Sequence, residues 1–137
     1  MKPLIIFFGL LLIILSCSGP RNTPQIKTNN EIEAEDDSLQ YELETFDARF
    51  DTWYALNNNP SQYRSQSYYE NWNRQYVVSW NFKATQAGNR FFEPIVGYEP
   101  TVDYGFELNH KLFYYFLYVE RVLGIQIMSG GPKGYPF

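Results

Sequence analysis

The sequence contains one cysteine, Cys17, and one histidine, His110. A single cysteine forms no disulfide within the chain and offers no pair of thiolates to a metal. Zinc sites need three or four protein ligands, mostly Cys and His. A di-iron bundle needs two Glu-x-x-His motifs, and only the spacing from Glu107 to His110 is present. We therefore predict no metal, no cofactor and a fold that its hydrophobic core alone stabilises.

Short catalytic motifs are also missing. There is no Gly-x-Ser-x-Gly, and the glycine-rich residues 130–134 have neither the spacing nor the Ser or Thr of a phosphate-binding loop. The best catalytic candidate is the triplet Asp103, Glu107 and His110, in which a neutral histidine beside a carboxylate would serve a hydrolase as general base. The alternative is a capping or core histidine between aromatic rings. We favour this alternative and predict no catalytic residues.

Positive charge is scarce as well. The chain has 11 Lys and Arg residues against 15 Asp and Glu residues, which gives a formal net charge of −4. From residue 41 onward there are eight basic and ten acidic side chains. Such a domain repels a phosphate backbone rather than attracting it. The sequence therefore argues against nucleic acid as a partner.

The first 17 residues have the pattern of an export signal. Lys2 precedes an apolar run of 13 residues, 3–15, which as a helix spans about 20 Å and is too short for a bilayer core of about 30 Å. This length is typical of a secretory signal peptide. Residues 14–17 (ILSC) resemble a bacterial lipobox, in which Cys17 receives a diacylglycerol and residues 1–16 are removed. The alternative is an uncleaved signal anchor.

The lipobox resemblance implies a protein that is lipid-anchored to the bacterial cell membrane or outer membrane. Two acyl chains, such as palmitate, are what stable anchoring requires. Residues 18–40 carry two basic and five acidic side chains, and Ile26, Ile32 and Leu39 are their only large aliphatic residues. Such a segment buries too little to offset its ordering entropy. We predict that residues 17–40 form an acidic, flexible tether.

Aromatic residues, in contrast, are abundant. The chain has 12 Tyr, 11 Phe and 3 Trp residues, and all of them except Phe7 and Phe8 lie at or after Tyr41. Each aromatic side chain buries about 150–250 Å², so a few of them build a large core. We therefore predict a single globular domain over residues 41–128 and a loose tail over residues 129–137.

Periodicity gives the fold class. Alternation over residues 41–45 predicts a strand, and Asp47 begins a helix that stops at Asn57, after which Asn59 caps a short turn. Ser67 and Glu70 have capping-box spacing, and the helix behind them carries an aromatic stripe of Tyr69, Trp72, Tyr76 and Trp80. Residues 104–109 alternate like a second strand. A buried helix follows from Asn109 to a Gly124 terminus, and residues 125–127 suggest a third strand. The prediction is a small, helix-rich α+β domain with two or three short strands.

The segments FDARFDTWY, QYRSQSYYENWNRQYVVSWN and YEPTVDYGFELNHKLFYYFLYVERVLGIQI carry a resemblance. They resemble a family of short lipoproteins from Bacteroidota-type bacteria that is defined as a domain of unknown function, over most of residues 41–128. The resemblance implies an exported lipoprotein but brings no activity, cofactor or site residues. Surface lipoproteins of such bacteria carry an acidic signal directly after the cysteine. Residues 18–22 have none, so a periplasm-facing domain is predicted.

These observations favour a membrane-anchored envelope lipoprotein that is a non-catalytic binding or assembly module, with an envelope protein or a glycan as its partner. Aromatic faces beside amide and guanidinium groups suit flat polar ligands, and Tyr and Arg are enriched at protein interfaces. The alternative is that the aromatic stripe packs inward and the amides are solvated. Two patches are predicted as contact surfaces: Tyr63, Arg64 and Tyr68, and Tyr98, Tyr104 and Asn109.

Overall fold

A computed structural model of the chain describes residues 24–29, 40–45, 47–92 and 96–135. Within these residues there is one antiparallel sheet of two strands, β1 (Gln25–Asn29) and β2 (Gln40–Glu44). Three helices follow, α1 (Ala48–Asn57), α2 (Gln66–Ala84) and α3 (Gly105–Arg121), with 3₁₀ turns at Pro60–Gln62 and Arg90–Phe92. The prediction of a small, helix-rich α+β single domain is confirmed. The predicted signal peptide, residues 1–16, and Cys17 lie outside the described residues.

Helix α3 is the centre of the domain. Residues 112–119 are all buried, and α1, α2 and β2 all contact this helix. The ring of Tyr76 on α2 stacks on Phe116 at 4.9 Å, and the ring of Phe50 on α1 meets Tyr115 edge-on at 5.1 Å. A helix that is apolar on every side must be covered on every side, so α3 gathers the other elements around it.

Helix α2 begins with a different cap from the predicted one. The Ser65 hydroxyl accepts a hydrogen bond from the Tyr68 amide at 3.2 Å, so the predicted capping box of Ser67 and Glu70 is wrong. The Glu70 carboxylate instead accepts from the Gln66 side chain at 2.8 Å. Helix α2 therefore begins at Gln66, two residues earlier than predicted. Its aromatic stripe faces the core as predicted, with Trp72 half-buried and the other three rings fully buried.

The predicted strand over residues 104–109 is wrong, because Tyr104 is the N-cap of α3 and residues 105–109 are the start of that helix. Gly105 begins the helix with a positive φ of 73°, a conformation that glycine adopts without steric cost. The Asp103 carboxylate accepts the Gly105 amide at 2.9 Å and so satisfies a backbone donor that a helix start leaves unpaired. Over so few residues, alternation and helical periodicity are hard to tell apart.

The end of α3 agrees with the prediction. Gly124 follows the helix with a φ of 67°, and the Ile125 amide donates to the Val119 carbonyl at 3.0 Å. Residues 125–127 are not a strand. The backbone amides of Ile127 and Met128 donate to the Glu120 carboxylate, each at 3.0 Å. Their hydrogen-bond acceptor is therefore a side chain and not the backbone of a neighbouring strand.

Both ends of the domain extend beyond the predicted boundaries. The tether predicted for residues 17–40 contains β1, which pairs with β2 so that Ile26 lies opposite the buried Leu43. The tail predicted to be loose contains the buried Pro132, and its Tyr135 ring packs 5.4 Å from Phe113. Local composition is polar or glycine-rich in both segments, and only pairing with distant residues orders them.

Candidate functional site

A depression of about 180 Å³ opens on the surface between the loop that precedes α2 and the C-terminal segment. Two aromatic rings, a guanidinium group, an amide, a hydroxyl and a glycine line it: Ser61, Gln62, Tyr63, Arg64, Gly134 and Tyr135. Pockets for drug-sized ligands occupy about 300–1,000 Å³. This depression is therefore sized for one residue of a polymer or one side chain of a protein.

Hydrogen bonds hold the loop side of the depression in place. Asn59 caps the first 3₁₀ turn through its side chain, and the Tyr63 hydroxyl donates to the Asn58 side chain at 2.6 Å. The backbone amide of Arg64 donates to the Tyr69 hydroxyl at 2.8 Å. Because the backbone of Arg64 makes this contact, its side chain is not needed to hold the loop.

The opposite wall is built on Tyr135. The Arg121 guanidinium donates to the Tyr135 carbonyl at 3.0 Å and also to the Pro132 carbonyl, which ties the C-terminal segment to the end of α3. Burial, together with a side-chain hydrogen bond to Tyr68, raises the pKa of Tyr135 well above its ordinary value. Tyr135 therefore stays neutral at physiological pH and presents a phenol ring rather than a charge.

The one charged residue in the described lining of the depression is basic. None of its six described lining residues is acidic. The Arg64 side chain is exposed, and no ion pair joins it to a carboxylate in the described parts of the chain. Lys133, next to the lining glycine Gly134, is exposed as well. In a chain of net charge −4, this local excess of cations distinguishes the depression from the average surface.

His110 lies behind Tyr63 in the interior. Its side chain is fully buried, and its ring centroid is 4.5 Å from that of Tyr63 and 4.4 Å from that of Tyr114. Nδ1 is 2.8 Å from the Tyr54 hydroxyl, and Nε2 has no hydrogen-bond partner among the described residues. Burial lowers the pKa of His110 to about 4. His110 is therefore a neutral core residue that supports the Tyr63 ring.

The catalytic triplet of the sequence is not assembled. The Asp103 carboxylate accepts hydrogen bonds from the Gln66 amide at 2.7 Å and from the Gly105 backbone, and Glu107 is exposed. In the described residues, no carboxylate lies within hydrogen-bonding distance of either nitrogen of His110. The surroundings of His110 match the alternative prediction, a core histidine between aromatic rings.

The second predicted patch lies inside the domain. Tyr98 and Tyr104 are 7% and 8% exposed, and Asn109 is fully buried. The Tyr98 hydroxyl donates to the Asn109 side chain at 2.8 Å, the Asn73 amide donates to the same oxygen at 3.1 Å, and the Tyr104 hydroxyl accepts from the Glu99 amide. These side chains offer almost no surface to a partner and form a buried polar network.

The first predicted patch, unlike the second, contributes residues to the surface depression. Tyr63 and Arg64 both line the depression, whereas Tyr68 is not one of its six described lining residues. Sequence reasoning missed Gly134 and Tyr135, because a glycine-rich tail gives no local signal of packing. The one hint was the presence of an aromatic residue in that tail.

Fold and site together define a small α+β domain with an aromatic, cation-rimmed depression on its surface. The chain matches the family of unknown function DUF6146 over residues 4–131 and belongs to that family. The predicted membership in a family of unknown function is thus confirmed, while a bacterial lipoprotein origin stays a prediction. Neither the curated proteins nor the solved structures provide a significant match.

Two features are absent from the residues that the structure describes. None of their helices combines the length and apolar character that crossing a bilayer requires. In the same residues, no three His, Cys, Asp or Glu side chains are grouped so that they would hold a metal ion.

Proposed function

We propose that this protein is a bacterial envelope lipoprotein, anchored by a lipid on Cys17, whose folded domain is a non-catalytic binding module. The lipobox-like residues 14–17 support the anchor, and residues 18–22 support a domain that faces the periplasm. Two acyl chains give stable attachment to a bilayer. A module held close to the membrane searches for its partner at a high effective concentration.

The observation that carries the binding role is the depression lined by Tyr63, Arg64 and Tyr135. Its aromatic rings lose little conformational entropy on binding, because Tyr63 packs on Phe106 and bonds Asn58 and Tyr135 packs on Phe113. Arg64 has no acidic partner in the described residues, so no ion pair among them competes with a ligand. Tyr and Arg are the residues that most often dominate binding energy at protein surfaces.

The proposal is tested by pull-down from detergent-solubilised envelopes with the full-length protein. The variant is Arg64→Gln and the matched control is Arg90→Gln, another exposed arginine. Helix α2 has 19 residues and is about 28 Å long. Arg64 precedes its first turn and Arg90 follows its last turn, so the two arginines lie beyond opposite ends of this helix. Arg64→Gln keeps the backbone amide that bonds Tyr69, so the loop is retained.

The expected result is one partner that wild type and Arg90→Gln retain and Arg64→Gln loses. A single stoichiometric protein would identify an assembly role, and retention on isolated envelope glycan would identify polymer binding. If Arg64→Gln and Arg90→Gln retain the same material equally, the depression is not the binding site and the proposal fails.

A further inference from the structure

This inference rests on the binding function proposed above. The charge and the side-chain types of the lining residues restrict the class of ligand that the depression can bind. Arg64 lines the depression and Lys133 is exposed next to a lining residue, while none of the six described lining residues is acidic. An anionic group is thus attracted locally, although the chain as a whole carries a net charge of −4.

The planar shape of the Arg64 guanidinium group restricts the kind of anion that it can bind. A guanidinium group is a planar fork that matches a carboxylate through two parallel hydrogen bonds. Arg64 is exposed, and no acidic side chain among the described residues occupies its fork. The fork is therefore available to an oxyanion, and among the anionic groups that sugar residues carry, the planar carboxylate matches the planar fork.

The remaining lining groups suit a sugar ring. Tyr63 and Tyr135 provide aromatic faces that pack against the apolar C–H face of a pyranose, while the Gln62 amide and the Ser61 hydroxyl can pair with its hydroxyl groups. The volume of about 180 Å³ holds one such ring. Neighbouring residues of a chain would continue over the open rim.

We propose that the depression binds one carboxylate-bearing sugar residue of an envelope polysaccharide. Arg64 pairs with the carboxylate, Tyr63 and Tyr135 pack on the ring, and Gln62 and Ser61 bind hydroxyl groups. The polymer is recognised one acidic residue at a time, so affinity for a single site is modest and increases when several lipid-anchored copies bind one polymer.

The test uses the full-length protein in detergent micelles and two uronic acid polymers, polygalacturonate and alginate. Methyl-esterified polygalacturonate is the matched ligand, because it keeps the sugar backbone and masks the carboxylates. We expect wild type and Arg90→Gln to bind the free acids at least about tenfold more tightly than the ester. Arg64→Gln should lose about tenfold for the acids and nothing for the ester, whereas Tyr63→Ala should weaken binding of both. Arg64→Lys keeps the charge but not the fork and should restore only part of the affinity.

Three outcomes would overturn the inference. If esterified and free polymers bind equally and only Tyr63→Ala weakens them, the ligand is a neutral sugar; the charge assignment falls while the proposed binding function stands. If neither acid polymer binds but the envelope pull-down yields a protein that Arg64→Gln loses, the ligand is a protein, and again only the sugar inference falls. If no binding of any kind depends on Arg64, both the inference and the proposed function fail.

Discussion

Acidification should destabilise the domain through a single side chain, His110. The sequence has no other histidine, so one imidazole accounts for all histidine titration. Its ring is fully buried among aromatic rings and bonds only the Tyr54 hydroxyl among the described residues. Protonation would place a charge in a site that is closed to solvent and in which no carboxylate of the described residues bonds the ring.

The magnitude follows from the two pKa values of His110. Burial lowers the pKa to about 4 in the folded state from 6.5 in the unfolded chain. Between these values the unfolded state binds more protons, so the free energy of unfolding falls as pH decreases. At about 1.4 kcal/mol per pKa unit the loss amounts to about 3 kcal/mol, complete near pH 4 with no further contribution below it. Typical small domains have only about 5–15 kcal/mol in total.

The assay is urea denaturation at a series of pH values between 7 and 4, followed by tryptophan fluorescence, for wild type and His110→Phe. Phenylalanine retains the ring packing and removes the proton site. It leaves the Tyr54 hydroxyl without its partner, but that cost is the same at every pH and does not alter the slope. The difference between the two curves therefore isolates His110 from the carboxylates.

We expect wild type to lose about 3 kcal/mol more than His110→Phe across this range. Two results would refute the reasoning. One is an equal pH dependence for the two proteins. The other is an NMR titration of the folded protein in which the single imidazole protonates near its ordinary pKa of 6.5, because the interior would then accommodate the charge without cost.

The remaining predictions concern the anchor, the orientation and the core. Cys17→Ala should abolish labelling by radioactive palmitate in cells, and persistent labelling would disprove the lipid site. Protease added to intact cells should leave the domain uncut, and complete digestion without lysis would indicate surface exposure instead. Trp80→Ala and Phe116→Ala, both at fully buried positions, should each lower the free energy of unfolding by about 3–5 kcal/mol; urea denaturation that shows less than about 1 kcal/mol would contradict the assigned core. Reductant and chelator should leave the melting temperature unchanged, and a chelator-dependent unfolding transition would reveal a metal site.

Local signals in the sequence were sufficient for α1, the first 3₁₀ turn and the aromatic stripe of α2. In these segments the caps lie within a few residues of the groups they satisfy, as with Asn59 and the amide of Ser61. The stripe of α2 spans about three helical turns, so its periodicity indicated a helix. The continuous apolar run of α3, residues 112–119, indicated a buried segment. The same signals led to the α+β class and to family membership.

The site itself was only half predictable. Tyr63 and Arg64 stood out because they combine an aromatic ring and a cation beside a turn, and both line the depression. Tyr98, Tyr104 and Asn109 are also aromatic and polar residues, but they are buried. Asn73, more than thirty residues earlier than Asn109 in the chain, donates hydrogen bonds to the backbone and side-chain oxygens of Asn109 and so offsets the cost of burying them. Residue type alone does not distinguish an exposed polar cluster from a buried network.

The sequence by itself determined that three segments contain helices, where α1 ends, and that aromatic side chains build the core. Tertiary structure alone decided the rest. Strand β1 exists because β2 pairs with it, and the tail is ordered because Arg121 binds its carbonyls. Residues 105–109 are helical as the start of α3, whose Leu108 and Asn109 are buried in the core. Each of these outcomes depends on contacts between residues far apart in the chain, whose free energy no local pattern of side chains encodes.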